Sequence, residues 1–369
     1  MHNKSLVQRI DCCNIPGFDD HELVVRCQDH ESGLRAFIAI HNTNLGSALG
    51  GCRMWNYESE RDALTDVLKL ASGMSYKHAI ARTKYGGGKA VIFGNLQTDK
   101  NEALFRAFGK AVDELAGKYI TAEDVGTAVE DMVVVAEQTR HVAGLPIEQG
   151  GSGDPSPVTA YGVYCSIVAA IAHKEGRDYN PLASLAGKTV AVQGLGHVGM
   201  YLCRYLSKAG ASLIVTDLCQ ENVDRACREF NAVATSIEAI YDADADIFAP
   251  CALGGILDHN TIERFKFSII AGAANNQLAS PDVAAALHSH NILYCVDYVV
   301  NAGGIINVAF ENQTYDKVKA LSLTESIGAT LLEILQKSVA SGQTTLEVAN
   351  AIAQQRLAAC PKTHSPFPS

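Results

Sequence analysis

The sequence has few aromatic residues, fewer basic than acidic residues and no long apolar run. Of its 369 residues, 7% are aromatic, and 30 lysines and arginines stand against 40 aspartates and glutamates, which leaves a net charge of −10. Nucleic acid and anionic membranes repel an acidic chain, so we expect neither as a partner. No stretch approaches the roughly 20 apolar residues that span a bilayer, and the N-terminus has no apolar signal core. We therefore expect a cytoplasmic protein that acts on a small molecule.

Cysteine is not scarce, but its spacing indicates neither a metal site nor a disulfide framework. The chain has 11 cysteines, with no CxxC pair and no Cys/His cluster at zinc spacing. Scattered thiols are typical of proteins in a reducing compartment. The sequence therefore predicts no metal site.

The length predicts about two domains, and the composition indicates where they meet. Residues 144–157 are rich in glycine and proline, which is typical of a hinge. After the hinge, apolar runs and helical patterns alternate, which favours a parallel sheet covered by helices. We predict a two-domain α/β fold. Residues 1–143 would form the first domain, and residues 144–335 a second domain of the Rossmann type.

Local patterns predict individual elements in both domains. Apolar residues at helical spacing predict helices over residues 62–76, 102–115, 158–172, 198–209 and 222–230. Short apolar runs predict strands over residues 34–40, 119–122, 189–194, 212–217, 246–249, 268–271 and 292–295.

A glycine motif predicts a dinucleotide site in the second domain. Gly194, Gly196 and Gly199 form a GxGxxG that follows a predicted strand and opens a predicted helix, with His197 and Val198 between them. Asp217 ends the next strand, 21 residues beyond Gly196, where an acidic residue can bind the adenosine ribose. Its charge would repel a 2′-phosphate, so the sequence favours NAD over NADP. The alternative is a tight turn without a ligand, with Asp217 as a helix cap.

Two lysines and a carboxylate stand in unusual settings in the first domain. Lys77 follows an apolar helical segment, Lys89 follows a glycine triplet, and Asp124 stands at the end of a predicted strand. The triplet suggests that backbone comes close to a ligand. Taken singly, each residue has an ordinary alternative: a surface lysine, a turn lysine and a helix N-cap.

Several segments, in order, resemble the glutamate/leucine/phenylalanine/valine dehydrogenase family, and within it most strongly the bacterial leucine dehydrogenases. Between about residues 35 and 310 the similar segments are Gly50–Trp55, Met74–Lys77, Gly86–Lys89, Thr121–Gly126, Pro155–Gly162, Ala271–Gln277 and Asn301–Gly304. Relatives usually have apolar residues where this chain has Thr83 and Tyr85, either side of Lys84.

The resemblance implies roles for particular residues. Lys77 would bind the substrate carboxylate, Lys89 would activate the attacking water, and Asp124 would carry protons to and from the amino nitrogen. Asn276 would position the substrate or nicotinamide, and the active site would lie in the cleft between the domains. The resemblance also assigns further cofactor-binding positions, namely Thr159, Asn275 and Asn301.

A lysine works as a base only when it is neutral, and a free lysine has a pKa near 10.4. Burial and the nearby cation Lys77 would move the pKa of Lys89 towards roughly 7–8. We therefore expect activity that rises at alkaline pH.

The resemblance also implies what the side-chain pocket accepts. Glutamate-specific relatives have a lysine where this chain has Leu49, and leucine cannot pair with a distal carboxylate. The other implied substrate-binding residues are Gly50, Ala122, Ile305 and Val308. An aliphatic pocket predicts oxidative deamination of leucine, and also of valine and isoleucine, to 2-oxo acids and ammonia.

Two other functions stay open at this point. One is a dehydrogenase of phenylalanine or other aromatic amino acids, and the other is a non-catalytic NAD-binding regulatory protein. The resemblance further implies that residues 1–143 form the catalytic, substrate-binding and oligomerisation domain and residues 144–335 the NAD-binding domain. The C-terminal helix, 336–369, would pack back on the first domain, as in relatives. The chain would form a closed homo-oligomer, an octamer or a dimer.

Overall fold

The computed structural model describes residues 5–311 and 315–359, and these form two compact units. The first unit contains residues 5–153, 308–311, 315–316 and 353–359. The second unit contains residues 154–307 and 317–352. The chain passes from the first to the second at Gly153, inside the predicted hinge. No helix in the described ranges combines the length and apolar character needed to cross a membrane.

The first unit is built on a six-stranded mixed sheet with the order β1-β2-β3-β5-β4-β6. Strands β1, β2, β3 and β5 pair antiparallel, whereas β4 runs parallel to both β5 and β6. The strands are β1 (Val7–Arg9), β2 (Leu23–Asp29), β3 (Leu34–Asn42), β4 (Ala48–Trp55), β5 (Gly86–Phe93) and β6 (Tyr119–Glu123).

Helices cover both faces of this sheet, which explains why its central strands are mostly apolar. The helices are α1 (Glu60–Ala81), α2 (Glu102–Glu114) and α3 (Val129–Ala136). Alternate residues of β3 serve opposite cores: Ile38 packs with α2, and Phe37 and Ala39 pack with α1. Ser59 caps α1 by accepting a hydrogen bond from the amide of Asp62. The sheet therefore lies between two cores, and its α1 face carries the charged residues described below.

The second unit contains a six-stranded parallel sheet with the order β12-β11-β10-β7-β8-β9. Its buried core joins this sheet to α4 and α5. The predicted two-domain α/β fold with a Rossmann-type sheet is confirmed. The strands are β7 (Thr189–Gln193), β8 (Ser212–Thr216), β9 (Val233–Ala234), β10 (Ile247–Pro250), β11 (Ile269–Ile270) and β12 (Leu293–Tyr294). The helices that lie in this unit, or run between it and the first unit as α10 and α12 do, are α4 (Ser156–Lys174), α5 (His197–Lys208), α6 (Gln220–Phe230), α7 (His259–Ile262), α8 (Val283–Ser289), α9 (Asp297–Val300), α10 (Gly303–Ala309), α11 (Lys317–Ser341) and α12 (Thr345–Ala359).

The end of the described chain is shared between the units. The start of α12 stays with the second unit, where Thr345 Oγ1 donates a hydrogen bond to the carbonyl of Tyr294. Near its end, Arg356 donates to the carbonyls of Ala79 and Ile80, the last residues of α1. The segment that returns to the first unit begins at residue 353 rather than at 336, because these anchors divide α12. Residues 360–369 of the predicted segment lie outside the described residues.

Candidate active site

Lys89 lies in the middle of β5, buried, with 7% of its side chain exposed. It pairs with Ala39 of β3 and points to the same face as Ala39 and Val91, which pack against α1. A lysine inside a strand and under a helix differs from the turn lysine that its sequence context also allowed. Its burial fits a chemical role better than a role in solvation.

The glycine triplet before Lys89 makes room for the protein's own backbone. A Cβ added to Gly87 would lie 2.1 Å from the amide nitrogen of Ser75 in α1, and one added to Gly86 would lie 2.1 Å from the carbonyl oxygen of Asn42. The expectation that these glycines admit a ligand needs correction. What approaches them here is helix α1 and the end of β3, and this packing sets Lys89 under α1.

Asp124 follows β6 and is fixed by a short turn. Its amide donates a hydrogen bond to Thr127 Oγ1 at 2.9 Å, and that hydroxyl in turn donates to the carbonyl of Cys52 in β4 at 2.9 Å. Gly51 leaves space beside it, because a Cβ there would lie 2.8 Å from the Cβ of Asp124. Asp124 is therefore held by backbone and does not cap a helix.

Lys89 and Asp124 form an ion pair, with 3.0 Å between Nζ and Oδ2. Burial raises the pKa of the Asp124 carboxyl, but the Lys89 ammonium, followed by the Arg53 guanidinium, lowers it more strongly. The net shift of the pKa is downward, so Asp124 is ionised at neutral pH. It can therefore accept a proton from a group that arrives beside it.

Lys77 lies on the last turns of α1, half-buried, on the helix that packs against β5. The first unit thus contains all three predicted catalytic residues. Among the described residues, the Asp124 carboxylate is a charged group in contact with Lys89. The predicted influence of Lys77 on the pKa of Lys89 stays a prediction.

A cavity of about 390 Å³ in the first unit has Leu49 and Val308 among its walls. These are two of the predicted substrate-binding residues, and they lie far apart in sequence. Tyr85 and the charged residues Arg140 and Glu311 also line the cavity. The pocket is therefore aliphatic on one part of its wall and polar on another, which the sequence did not indicate.

The polar wall of the cavity is well ordered by hydrogen bonds. The Glu311 carboxylate accepts hydrogen bonds from the amides of Gly144 and Ser152, at 2.7 and 2.9 Å, and from the hydroxyl of Ser152. It thereby fixes the segment that was predicted to be a hinge. Burial and the nearby Glu311 raise the pKa of the Tyr85 phenol, which therefore stays neutral.

The remaining predicted substrate residues are placed as follows. Gly50 is in β4 and pairs with Thr121, and Ala122 in β6 pairs with Gly51; neither is among the described walls of the cavity. Asn276 and Ile305 belong to the second unit.

Thr83, which stands where relatives have an apolar residue, has a partner in the fold. Its hydroxyl lies 2.7 Å from Nδ1 of His78, whose Nε2 lies 3.1 Å from the carbonyl oxygen of Leu49. Burial lowers the pKa of His78 to about 4, so the imidazole is neutral. Thr83 therefore stabilises a buried histidine next to the backbone of the pocket wall.

The GxGxxG segment has the geometry of a pyrophosphate loop in the second unit. Gly194 has a φ of 97°, which suits a tight turn, and a Cβ on Gly199 would lie 2.0 Å from the Gly194 carbonyl oxygen. A Cβ on Gly196 would meet nothing within 4 Å. The first and third glycines therefore permit the turn and the close packing of helix and strand, whereas the second leaves open space for a phosphate. His197 and Val198 begin α5, and His197 is exposed.

Asp217 stands at the end of β8, beside this loop. Its carboxylate accepts hydrogen bonds from the amide of Leu195, inside the GxGxxG, and from the amide of Cys219 at 2.7 Å. One acidic side chain therefore supports the glycine loop and keeps its charge near the start of α5.

The other predicted cofactor residues form two small groups at the second unit. Asn301 donates a hydrogen bond to Oδ1 of Asn275 at 2.8 Å, while its own Oδ1 is buried without a partner. Thr159 lies beside Gly304, because a Cβ there would be 2.9 Å from Thr159 Oγ1. A buried orphan acceptor suits a ligand that supplies an N–H donor, as a carboxamide does. The open Gly196 and the orphan Asn301 both fit a nicotinamide dinucleotide.

Sequence reasoning missed several residues of this region. Arg53 contacts Asp124, Tyr85 lines the cavity, and Glu311 holds the cavity wall. Arg53 was visible as a charged residue in an otherwise apolar segment, and Tyr85 as a departure from the family pattern. Nothing in the sequence around Glu311 distinguished it.

Comparisons with known proteins agree with both units. Residues 21–141 match a family model described as Glu/Leu/Phe/Val dehydrogenase, dimerisation domain. Residues 150–218 and 215–363 match the model Glutamate/Leucine/Phenylalanine/Valine dehydrogenase. The chain is 50% identical to the leucine dehydrogenase of Thermoactinomyces intermedius over 348 residues, 94% of each chain. It is 44% identical to the phenylalanine dehydrogenase of Bacillus thermotolerans, over 92% of this chain and 89% of that one. Among solved structures, the L-tryptophan dehydrogenase of Nostoc punctiforme matches with a TM-score of 0.82 and 40% identity, over 93% of this chain and 98% of that chain.

Proposed function

We propose that this chain, which belongs to the glutamate/leucine/phenylalanine/valine dehydrogenase family and is an amino-acid dehydrogenase, oxidatively deaminates branched-chain aliphatic L-amino acids with NAD. The products would be the 2-oxo acid and ammonia, and the reaction would be reversible. Leucine would be the preferred substrate, with valine and isoleucine also accepted. The observation that carries the proposal is the buried Lys89–Asp124 pair in a unit whose cavity has Leu49 and Val308 in its wall.

The Lys89–Asp124 pair supplies the acid–base chemistry that deamination needs. Asp124, ionised by its two cationic neighbours, accepts a proton from the substrate ammonium and leaves a neutral amine. NAD, which the glycine loop and Asp217 would hold, would supply the acceptor for a hydride from Cα, so that an iminium carbon would remain on the substrate. Lys89 is a cation in the resting ion pair, and it acts as a base once it has released that proton to solvent. It then takes a proton from water as the water oxygen attacks that carbon, which forms a carbinolamine and restores the Lys89 ammonium. Asp124 returns its proton to the nitrogen, the C–N bond breaks so that ammonia leaves, and the hydroxyl gives up its proton to solvent, which forms the carbonyl of the 2-oxo acid.

Binding roles follow from charge and position. Lys77, a cation on α1, would hold the substrate carboxylate, and Asn276 would position the substrate. The glycine loop and the start of α5 would bind the pyrophosphate of NAD, with Asp217 on the adenosine ribose. A 2′-phosphate would bring negative charge to Asp217, which supports NAD rather than NADP.

The cavity wall supports an aliphatic substrate. Leu49 offers no partner to a distal carboxylate, and burying that charge unpaired costs far more than a hydrophobic contact returns.

The second candidate is a dehydrogenase of aromatic amino acids. The cavity of about 390 Å³ and the similarity to phenylalanine and tryptophan dehydrogenases favour that candidate. Tyr85 favours the aliphatic choice, because its ring occupies part of the wall.

The proposal also covers the oligomeric state of the protein and its location in the cell. We propose a homo-oligomer, an octamer or a dimer, in the cytoplasm. The match of residues 21–141 to a model described as a dimerisation domain supports association through the first unit. A regulatory protein that binds NAD without turnover fits less well, because Lys77, Lys89 and Asp124 are all present.

A substrate panel tests the proposal directly. The purified chain is assayed for NADH formation with leucine, isoleucine, valine, phenylalanine, tryptophan and glutamate, and with NADP in place of NAD. We expect kcat/KM for leucine to exceed that for phenylalanine and tryptophan by about tenfold or more. We expect glutamate to have a much lower kcat/KM than leucine, and NADP a much lower kcat/KM than NAD. An aromatic substrate far better than leucine would overturn the substrate class, and NAD binding without turnover of any amino acid would overturn the activity.

A further inference from the structure

A row of polar contacts leads from the Asp124 carboxylate through Arg53 to helix α1, and Arg53 contacts the same oxygen, Oδ2, as Lys89. The Arg53 guanidinium on β4 lies between two carboxylates: Nε is 3.2 Å from Oδ2 of Asp124, and NH1 is 2.9 Å from Oδ2 of Asp66 on α1. Tyr57 donates a hydrogen bond to that same Asp66 oxygen at 2.6 Å. The reaction described above gives Arg53, Asp66 and Tyr57 no role.

Arg53 is well suited to join two carboxylates. In the parallel pairing of β4 with β5 it lies opposite Val91, on the face that also carries Lys89. Its side chain is 23% exposed, as is that of Asp124. Guanidinium is planar, with donors in a fixed fork, so Nε and NH1 can serve different acceptors in a defined geometry. A lysine has one ammonium and cannot reproduce this bridge.

Asp66 and Tyr57 fix the far side of the guanidinium. Asp66 is held by α1, and its side chain is 29% exposed. The Tyr57 ring stacks on Phe93, with 6.2 Å between the ring centroids, and Phe93 is the last residue of β5. The anchor of Arg53 is therefore tied to the strand that carries Lys89.

The groups that face Asp124 determine how Arg53 acts on it. Lys89 faces it from β5, Arg53 and the Cys52 thiol from β4, and the Tyr119 phenol from β6. Burial raises the pKa of the thiol and of the phenol well above their ordinary values, so both stay neutral. Two cations therefore act on one carboxylate. Helix α1, which packs on this face, carries the further charged residues Asp66 and Lys77.

We propose that Arg53, anchored by Asp66, is a positioning residue for the proton-transferring carboxylate of this reaction. Arg53 holds Oδ2 of Asp124 in place and keeps the carboxylate ionised, so that a proton arriving from the substrate nitrogen meets an oriented acceptor. Lys89 cannot do this alone, because its own role has it exchange protons during each turnover. The inference rests on the proposed function, since it gives Asp124 its proton-transfer role.

Four variants and a matched control test the proposed positioning role of Arg53. The variants are Arg53→Gln, Arg53→Lys, Asp66→Asn and the double variant Arg53→Gln/Asp66→Asn. The control is Arg26→Gln, because Arg26 also lies on a strand of this sheet and pairs with a carboxylate of α1, Glu60, at 2.8 Å. Each is assayed on the best substrate of the wild type for kcat, for both KM values, for the solvent deuterium isotope effect and for the pH dependence of kcat/KM. Circular dichroism confirms that each is folded.

A positioning role for Arg53 predicts a specific set of kinetic changes in the variants. In Arg53→Gln, kcat falls about 10- to 100-fold while KM for NAD changes less than twofold. The acidic limb of its kcat/KM profile moves up by about one pH unit, because losing a cation raises the pKa of Asp124. The solvent isotope effect on kcat increases. Arg53→Lys keeps the acidic limb near that of the wild type and recovers part of kcat. The double variant is no slower than Arg53→Gln, because Asp66 acts through Arg53.

Other outcomes overturn the inference. The inference fails if the Arg53→Gln protein is folded and its kcat is within twofold of the kcat of Arg26→Gln. It also fails if kcat falls while the acidic limb of the kcat/KM profile and the solvent isotope effect stay as in the wild type, because that result indicates a structural role for Arg53. A wild type that turns over aromatic amino acids instead changes the substrate class but leaves this test intact. A wild type that turns over no amino acid removes the proposed function and the role of Arg53 together.

Discussion

At the residue scale, the structure brings together residues that the sequence motifs singled out separately, while their roles stay predictions. Lys89 and Asp124 were predicted from their motifs, and the structure places them 3.0 Å apart. Arg53 was within a recognised segment, yet nothing in a linear pattern says that its guanidinium spans two carboxylates. That contact depends on the register of β4 against β5 and on the position of α1, which are properties of the folded chain.

Tyr85 carries a prediction about substrate selection at this scale. Its ring is part of the cavity wall, so replacing it with leucine enlarges the space available to a substrate side chain. We expect Tyr85→Leu to raise the kcat/KM ratio of phenylalanine over leucine by about tenfold or more, since such pockets discriminate by about 1–3 kcal/mol. Lys84→Leu is the control, because Lys84 is exposed. A ratio within twofold of the wild type in Tyr85→Leu would show that the ring does not limit the substrate.

At the element scale, regular patterns were predictable and irregular ones were not. Strands β7, β8, β10, β11 and β12 of the second unit begin and end within about a residue of prediction, because they are short apolar runs with turns around them, whereas the two-residue strand β9 was not predicted. Strand β4 was not predicted, since Gly50 and Gly51 weaken its pattern. The edge strand β1, its neighbour β2 and the short helix α3 were also missed, because each is too short or too mixed to show a period.

The glycines near Lys89 give a stability prediction for elements that pack closely. Gly87→Ala places a methyl group 2.1 Å from the backbone of Ser75, so β5 and α1 must separate. We expect a loss of about 1–3 kcal/mol in the free energy of unfolding. Gly73→Ala is the matched variant, because Gly73 lies inside α1 with nothing within 4 Å of the added carbon.

The two glycine variants should change the free energy of unfolding in opposite directions. Alanine is favoured over glycine in a helix interior by about 0.8–1 kcal/mol, so Gly73→Ala should be stabilised. Urea denaturation of both variants measures the difference. Equal stability of Gly87→Ala and the wild type would mean that the close contact between β5 and α1 is not as described.

At the scale of the whole molecule, the described chain divides into two units, to which we assign separate tasks. The first contains Lys77, Lys89, Asp124 and the cavity, and the second contains the glycine loop and Asp217. Strand–helix alternation and one motif sufficed to predict the second unit. The first unit needed the family resemblance, because its mixed sheet has no comparable signature. The exact boundaries depended on contacts such as those of α12, which no composition change marks.

The most direct test of the central claim is the rate of leucine-dependent NADH formation by the wild type, Lys89→Ala and Lys84→Ala. Lys84 is an exposed lysine five residues away and serves as the control. We predict that Lys89→Ala loses about 10²- to 10⁴-fold in kcat while it still folds and binds NAD, and that Lys84→Ala stays within twofold of the wild type. A Lys89→Ala protein that turns over leucine at a rate near that of the wild type would contradict the account.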